Sequence, residues 1–223
     1  MYKAAIIGLG RIGAGFEDSH MTAYRDCEDT QLVALCDINE SLMYEWLSVM
    51  RNSAKLFTDY KRMITGNWLD IVSVCTPPET HCQIVCDIAP YVKAIYCEKP
   101  IATTLEDADR MIDVCHKYGV ILQINHQRRF TQPKFRFSRG IFNTGTHMFD
   151  LIHQLFRDDV IVDIEEVDTE EPIFELDCTH NNDKMIPLGV AHLVECLKEN
   201  KESVSSGEEA REALRMCLEY AKL

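Results

Sequence analysis

A lysine lies between an acid and a proline in the segment Cys97-Glu98-Lys99-Pro100, directly after the apolar run Ala94-Ile95-Tyr96. Near the start of the chain, Gly8-Leu9-Gly10-Arg11-Ile12-Gly13 has the glycine spacing of a dinucleotide-binding loop. A glycine motif alone indicates only nucleotide binding. Together, the two motifs turn nucleotide binding into a hypothesis of hydride transfer.

Each glycine of the loop has a mechanical role in the predicted site. Gly8 permits a tight turn, Gly10 lets a pyrophosphate approach the backbone, and Gly13 lets the following helix pack against its strand, with its N-terminus toward the phosphates. Asp37 ends the next predicted strand, where its carboxylate would bind the adenosine ribose and repel the extra phosphate of NADP. The pattern therefore predicts NAD as cofactor and disfavours NADP; glycines that merely form a turn are the alternative.

A second loop, Cys75 to His81, contains two prolines and follows the apolar run Ile71 to Cys75. Ligands of open α/β sheets bind at such carboxyl ends of strands. The predicted cofactor contacts are Gly8, Gly10, Arg11, Ile12, Gly13, Asp37, Thr76, Pro77, His81, Glu98 and Lys99.

The composition argues against several classes of partner. The 223 residues carry a net charge of -13, and so negative a surface disfavours nucleic acid and anionic membranes. The ten cysteines are scattered without CxxC pairs, which favours reduced thiols over a metal site. The glycine motif leaves no room for a signal peptide and no apolar run has membrane-spanning length, so we expect a cytoplasmic protein.

Strand-like and helix-like segments alternate through the first half of the chain, as in a doubly wound parallel sheet. The predicted strands are Ala4 to Ile7, Leu32 to Cys36, Ile71 to Cys75, Ala94 to Cys97 and Val120 to Ile124. The predicted helices are Glu40 to Met50, Thr80 to Ala89 and Leu105 to Tyr118. We therefore expect an α/β Rossmann domain over residues 1–125, followed by a reduced α+β domain over residues 126–223.

The pattern changes after Asn125, where the chain becomes polar, basic and aromatic. The strand candidates of this part are Phe135 to Phe142, Val160 to Val167 and Ile173 to Asp177, and its predicted helices are Thr146 to Phe156, Ile186 to Glu199 and Glu208 to Lys222. Three strands form a small sheet, whose edges usually need covering.

Taken together, GLGRIG, Asp37, CTPPETH, CEKP and Gly145-Thr146-His147-Met148-Phe149-Asp150 resemble the Gfo/Idh/MocA family of sugar and inositol dehydrogenases. The resemblance covers the first 130 residues and resumes around the histidine motif and in the final helices. It implies NAD(P)-dependent oxidation or reduction of a carbinol carbon in a sugar, nucleotide sugar or cyclitol. It further implies that Lys99 and His147 are the family's catalytic pair and that the Lys99-Pro100 peptide is cis.

These residue types suit the implied reaction. A neutral imidazole such as His147 can take the hydroxyl proton, Lys99 can stabilise the charge left on oxygen, and Asp150 can orient the imidazole ring. Without the resemblance, a helix cap, a solvated lysine and a surface acid would be the preferred interpretations of these three residues. Many relatives have an aspartate where this chain has Asn143, which can bind a hydroxyl but cannot take a proton. Relatives linked to surface polysaccharide synthesis share this asparagine, so we count Asn143 among the catalytic candidates.

The chain departs from the family mainly in length, because only Thr131 to Ser138 separate Phe130 from Arg139. The shortened sheet normally carries substrate contacts and the oligomer interface in this family. Two functions therefore stay open: an NAD-dependent dehydrogenase, and a non-catalytic NAD-binding relative that acts in sensing or protein interaction. A defective or internally deleted version of a longer protein is a third possibility.

A basic segment follows the last strand of the first domain. Gln127, Arg128 and Arg129 could bind a carboxylate or phosphate of the substrate, since bidentate arginine suits such groups. A solvated basic turn is the alternative. We expect a sugar or nucleotide-sugar substrate and allow for a homo-oligomer.

Overall fold

The computed structural model describes residues 1–15, 17–50, 54–66, 68–130, 134–137, 163–166, 169, 174–177 and 185–221. The chain divides into two compact units. The first combines residues Met1–His126 with Ile186–Leu223, and the second contains Gln127–Met185.

A six-stranded parallel sheet forms the centre of the first unit, which confirms the predicted α/β Rossmann fold. Its strand order is β3-β2-β1-β4-β5-β6. The strands are β1 (Tyr2–Ile7), β2 (Thr30–Cys36), β3 (Lys55–Phe57), β4 (Ile71–Val74), β5 (Ala94–Cys97) and β6 (Ile121–Ile124). The glycine loop follows the central strand β1, and the Lys99 segment follows β5.

Burial explains why the central strands are almost continuously apolar. All four residues of β4 and all four residues of β5 are buried, since helices cover both faces of the sheet. Strand β3, which was not predicted, has only three residues and none that is fully buried. A short edge strand of this kind has too little apolar pattern to be recognised.

Seven α-helices lie in the described part of the chain. They are α1 (His20–Asp26), α2 (Glu40–Met50), α3 (Tyr60–Met63), α4 (Pro78–Ile88), α5 (Leu105–Tyr118), α6 (Met185–Glu199) and α7 (Gly207–Tyr220). Helix α5 has the predicted bounds because both its ends are capped. The Thr104 side chain accepts a hydrogen bond from the amide of Asp107, and Gly119 ends the helix in the left-handed region at φ 66°.

The last two helices belong to the first unit, whereas the predicted second domain of residues 126–223 included them. Polar contacts with β6 hold them there: the buried amide of Gln123 donates to the carbonyl of Gly189, and the Ser205 hydroxyl donates to the carbonyl of Ile124. Leu214 on α7 joins the same apolar core as β6. Such long-range pairing leaves no local mark in the sequence.

The second unit contains a three-stranded mixed sheet within its described residues. The strands are β7 (Lys134–Phe137), β8 (Asp163–Glu166) and β9 (Phe174–Asp177), with β7 in the centre, parallel to β8 and antiparallel to β9. Strands β8 and β9 lie inside their predicted segments, and β7 begins one residue before its predicted segment. The predicted helix from Thr146 to Phe156 lies outside the described residues.

The described cysteines are free thiols, and burial raises the pKa of Cys36, Cys82 and Cys115 to about 12. These thiols are therefore protonated core residues.

Among the described helices none could span a membrane, and the described side chains form no cluster of three or more metal-ligating residues.

The packing of α7 predicts the effect of a side chain at Gly207. A Cβ atom there would lie 2.9 Å from side-chain atoms of both Ile112 and Leu122. We expect Gly207→Val to lower the free energy of unfolding by about 1–3 kcal/mol, because the added methyls overpack the contact of α7 with α5 and β6. Urea denaturation measures the change.

The control for this variant is Val204→Ala, at a side chain that is 52% exposed just before the helix. It should change the free energy of unfolding by less than about 0.5 kcal/mol. Equal stabilities of Gly207→Val and the unsubstituted protein would contradict the described packing of the C-terminal helices.

Candidate active site

The glycine loop is shaped by two very close backbone approaches. A Cβ atom on Gly8 would lie 2.7 Å from the carbonyl oxygen of Cys75, and Gly8 also has a φ of +92°. A Cβ atom on Gly13 would lie 2.0 Å from the carbonyl oxygen of Gly8. Any other residue at position 8 or 13 would force the loop apart, so both glycines are required by the fold itself.

Gly10 differs from these two glycines because nothing lies within 4 Å of a Cβ atom built on it. The protein alone therefore does not need a glycine there. A bare backbone beside open space is what a closely approaching pyrophosphate requires. This contrast shows that the loop fits the predicted dinucleotide.

Only one helical turn follows the glycine loop. The amides of Ala14 and Gly15 donate to the carbonyls of Gly10 and Arg11 at 3.0 and 2.9 Å, and the chain then leaves the helical path. The longer helix that follows the motif, α1, begins at His20. Ser19 starts this helix with a capping box.

Asp37 binds the glycine loop directly, in addition to its predicted position at the end of β2. Its Oδ2 accepts a hydrogen bond from the amide of Leu9 at 2.6 Å, and its Oδ1 accepts one from the amide of Asn39 at 2.8 Å. Each carboxylate oxygen can accept a further hydrogen bond. The half-buried carboxylate can therefore position the loop and still accept hydroxyl groups of a ribose.

His81 joins the two remaining loops of this edge. Its buried ring lies with Nε2 at 2.8 Å from the carbonyl oxygen of Thr76 and Nδ1 at 3.1 Å from that of Pro100. Thr76 also accepts a hydrogen bond from the Thr80 hydroxyl, and Pro77 precedes the first turn of α4. The contacts of His81 are thus with the backbone that carries Thr76, Pro77 and Lys99.

Lys99 is exposed, whereas both of its neighbours are fixed. The amide of Glu98 donates to the carbonyl of Val74 at 2.9 Å, and the carbonyl of Pro100 contacts His81. The Lys99-Pro100 peptide is cis, as predicted. The lysine side chain therefore extends from a rigid segment at the carboxyl edge of the sheet.

The Glu98 side chain points into the protein interior and is surrounded by hydrogen-bond partners. Its Oε1 lies 2.9 Å from Nε2 of His20 and accepts a hydrogen bond from the Asn125 amide at 2.5 Å. Burial acts to raise the pKa of this carboxyl, but the contacts with His20 and Asn125 and the charge of Lys99 outweigh it and lower the pKa. Glu98 is therefore an ionised buried group at neutral pH.

Sequence reasoning missed His20 and Asn125 as parts of this site. Each is almost completely buried, and each comes from a separate element, α1 or the segment after β6. The only local signal was a histidine shortly after the glycine motif. Their meeting at Glu98 depends on the order of the strands.

The other predicted site residues belong to the second unit. Gln127 and Arg129 lie in a short 3-10 turn, half-buried and exposed respectively, and the Arg128 side chain lies outside the described residues. His147, Asn143 and Asp150 also lie outside the described residues. Their predicted roles therefore stay predictions.

The chain matches a protein-family model, and the match supports the cofactor assignment. The model of an oxidoreductase family with an NAD-binding Rossmann fold matches residues 2–126. This range contains the glycine loop, Asp37 and Lys99. The Rossmann domain is accordingly an NAD-binding domain.

Curated relatives include sugar and cyclitol dehydrogenases. The chain is 34% identical over 141 residues to myo-inositol 2-dehydrogenase of Thermotoga maritima, an alignment covering 63% of this chain and 41% of that protein. It is 32% identical over 132 residues to D-apiose dehydrogenase of Paraburkholderia graminis, covering 59% and 34%. The chain thus spans about two fifths or less of the length of these relatives.

Solved structures share the fold over nearly the whole chain. One is the WlbA dehydrogenase from Bordetella pertussis in complex with NADH and UDP-GlcNAcA, with a TM-score of 0.66 and 17% identity. The superposition covers 97% of this chain and 94% of that one. At this identity the likeness concerns the fold alone.

The contrast between the glycines yields a first test of the site. We expect Gly10→Ala to weaken NAD binding roughly 10- to 100-fold, because a methyl group would enter the space for the pyrophosphate. The free energy of unfolding should change by less than about 0.5 kcal/mol, since no protein atom is near. Calorimetric NAD titration and urea denaturation measure the two quantities.

Gly13→Ala is the matched comparison for Gly10→Ala. It should lower the free energy of unfolding by about 1–3 kcal/mol even without NAD, because its Cβ would collide with Gly8. If Gly10→Ala bound NAD as tightly as the unsubstituted protein, the loop would not hold the pyrophosphate.

Asp37 predicts the choice between the two nicotinamide cofactors. We expect NAD but not NADP to raise the melting temperature, because the carboxylate repels the extra phosphate. Asp37→Asn removes the charge while keeping one acceptor oxygen, so NADP should then stabilise the variant. Asp113→Asn, which removes the same charge from the exposed face of α5, is the control. Stabilisation of the unsubstituted protein by both cofactors alike would refute this role.

Proposed function

Because the chain belongs to the Gfo/Idh/MocA family of NAD-binding oxidoreductases, we propose that it transfers hydride between NAD and a secondary alcohol or keto carbon of a sugar or cyclitol. The observation that carries the proposal is Lys99, an exposed lysine with both neighbours fixed. It lies at the sheet edge that also holds the glycine loop. This position fits a lysine that binds a reacting oxygen better than it fits an ordinary solvated surface lysine.

The NAD-binding residues would come from three loops of the first unit. The backbone of the glycine loop would hold the pyrophosphate, and Asp37 would accept the ribose hydroxyls. Thr76 and Pro77 border the same edge. When bound, the nicotinamide supplies the acceptor or donor of hydride.

Lys99 would act on the oxygen of the reacting carbon. Oxidation of a secondary alcohol releases a hydride from carbon and a proton from the hydroxyl group. The lysine ammonium group would donate a hydrogen bond to that oxygen and stabilise its growing negative charge. Its fixed neighbours reduce the entropy lost when the side chain binds.

His147 is our candidate for the group that takes the hydroxyl proton. An imidazole titrates close to neutral pH, so it can accept a proton in one direction and return it in the other. Asn143 would bind a neighbouring substrate hydroxyl, and Asp150 would orient the imidazole ring. These three roles rest on the family motif.

The names of the curated relatives guide the choice of substrate. Dehydrogenases of myo-inositol and D-apiose both act on polyhydroxylated carbon, so cyclitols and sugars are the first compounds to test. Arginines at 128 and 129 support an acidic or nucleotide-linked sugar as a second class. Assembly as a homo-oligomer remains part of the proposal.

The test of the proposal is turnover with NAD and a panel of cyclitols, sugars and nucleotide sugars. We expect reduced nicotinamide to appear in the absorbance spectrum with at least one compound. Lys99→Ala should lower kcat roughly 100-fold or more, as removal of a group that stabilises a developing oxyanion does.

A matched control lies at the opposite end of the same strand. Lys93 is an exposed lysine just before β5, paired with Asp70 at 2.8 Å, and Lys93→Ala should leave kcat unchanged. Equal activities of Lys99→Ala and Lys93→Ala would remove Lys99 from the mechanism. NAD binding without turnover of any compound would favour the non-catalytic alternative.

A further inference from the structure

The buried group next to Lys99 belongs to a larger network, which we call the Glu98 network. It consists of Glu98, His20, Ser73, Tyr24, Tyr96 and Asn125. All six residues are buried, and they come from α1, β4, β5 and the segments after β5 and β6. The network touches the cofactor loops through two backbone amides: that of Glu98 donates to the carbonyl of Val74 just before the loop after β4, and that of His20 donates to the carbonyl of Ile12 in the glycine loop at 3.2 Å.

One branch of the network runs through Asn125. The Tyr96 hydroxyl donates to Asn125 Oδ1 at 2.6 Å, and the Asn125 amide donates to Glu98 Oε1. Burial raises the pKa of Tyr96 well above its usual value, so its hydroxyl keeps the proton that it donates. The direction of this branch is therefore fixed toward the carboxylate.

The other branch runs through His20. Because Glu98 is ionised and can only accept, Nε2 of His20 must donate to it. Nδ1 of His20 lies 2.8 Å from the Ser73 hydroxyl oxygen, which lies 2.8 Å from the hydroxyl oxygen of Tyr24. Burial raises the pKa of Tyr24 as well, so this hydroxyl also stays protonated. Both branches thus end on the same oxygen, Oε1 of Glu98.

The His20 ring is held in place by packing as well as by hydrogen bonds. Its centroid lies 4.7 Å from that of Tyr96, at an interplanar angle of 59°. This tilted contact is typical of favourable aromatic pairs. The ring therefore has one orientation, in which Nε2 faces Glu98.

A buried carboxylate that receives two fixed donors costs more to desolvate than a neutral residue would. An apolar side chain at position 98 would leave these two donors unpaired, whereas a neutral acceptor would pair them without burying a charge. Glu98 is joined to Lys99 by one peptide bond, and the charge of Lys99 contributes to the lowered pKa of the carboxyl. Fixing Glu98 therefore restricts the backbone of its direct neighbour, Lys99.

We propose that His20 and Glu98 are positioning residues for Lys99: the imidazole fixes the buried carboxylate, and the carboxylate fixes the backbone from which the lysine reaches the reacting oxygen. The role rests on the proposed dehydrogenase function. It replaces direct cofactor contact as the function of Glu98. It also gives His20, which lies outside the glycine motif, a part in catalysis.

The test compares two substitutions of His20. His20→Leu removes the donor to Glu98, whereas His20→Gln retains it, because the glutamine amide nitrogen can occupy the position of Nε2. For His20→Leu we expect kcat to fall roughly 10- to 100-fold, as small displacements of a catalytic group do, with the Kd for NAD changed by less than about twofold. His20→Gln should recover most of kcat.

A second measurement reports the positioning without turnover. The amides of Glu98 and Asn125 donate to the carbonyls of Val74 and Cys97, and the amide of Ile121 donates to Lys93 at the far end of the same strand pair. In His20→Leu, hydrogen exchange should accelerate roughly tenfold or more at Glu98 and Asn125 and stay unchanged at Ile121. This selectivity separates local positioning from general loss of stability.

Ser203→Ala is the control for loss of a buried hydrogen bond. The Ser203 hydroxyl donates to the side-chain oxygen of Gln123 at 2.9 Å, and neither residue belongs to the Glu98 network. This variant should leave kcat and exchange at Glu98 unchanged.

Three results would overturn the proposal. One is an unchanged kcat in His20→Leu. Another is a weakened NAD affinity of His20→Leu with kcat intact, which would indicate that Glu98 contacts the cofactor. The third is equal impairment of His20→Leu and His20→Gln with faster exchange at all three amides. If the unsubstituted protein turns over no compound, the dehydrogenase function fails, and the exchange measurement alone decides whether His20 positions the Lys99 segment.

Discussion

One buried carboxylate connects the parts of the first unit that matter for its chemistry. Glu98 joins α1 through His20 and the end of β6 through Asn125, while its own amide holds β4. A buried charge is stable only when its hydrogen-bonding capacity is met, and loss of one partner leaves a large desolvation cost. The positions of α1, β4, β5 and β6 at this edge therefore depend on one another.

The parallel sheet brings the remaining groups to the same edge. Strands β1, β4 and β5 are neighbours, so the segments after them, which contain Gly8, Cys75 and Lys99, lie side by side. The contact between Gly8 and the carbonyl of Cys75 leaves no room for a side chain. His81 then ties the loop after β4 to the loop after β5. The result is a continuous backbone surface that carries the two functional groups of the proposed site, the ammonium of Lys99 and the carboxylate of Asp37.

Local signals made much of this fold predictable from the sequence. Helix α5 has a threonine cap and a terminal glycine within its own segment. The apolar runs of β4 and β5 indicate that both strands are buried. The glycine loop follows from a motif with specific steric requirements, and the cis Lys99-Pro100 peptide was implied by the family resemblance. Features of this kind need no knowledge of distant residues.

Features set by tertiary contacts were not predictable in the same way. The return of α6 and α7 to the first unit depends on Gln123 and Ser205, whose partners lie about 66 and 81 residues away in sequence. Only the strand order brings His20 to Glu98, 78 residues further along the chain. Asp37 was assigned to a ribose, whereas its contact with the amide of Leu9 required the folded loop. Sequence pattern thus identified the chemical groups, and packing determined which groups support them.

The central claim is that a rigidly held Lys99 serves hydride transfer between NAD and a polyhydroxylated substrate. The most direct measurement follows deuterium from carbon-deuterated cyclitols and sugars to the nicotinamide by mass spectrometry. The account predicts that the reduced cofactor gains one deuterium from the substrate carbon. NAD that binds but never acquires deuterium from any of these compounds would contradict it.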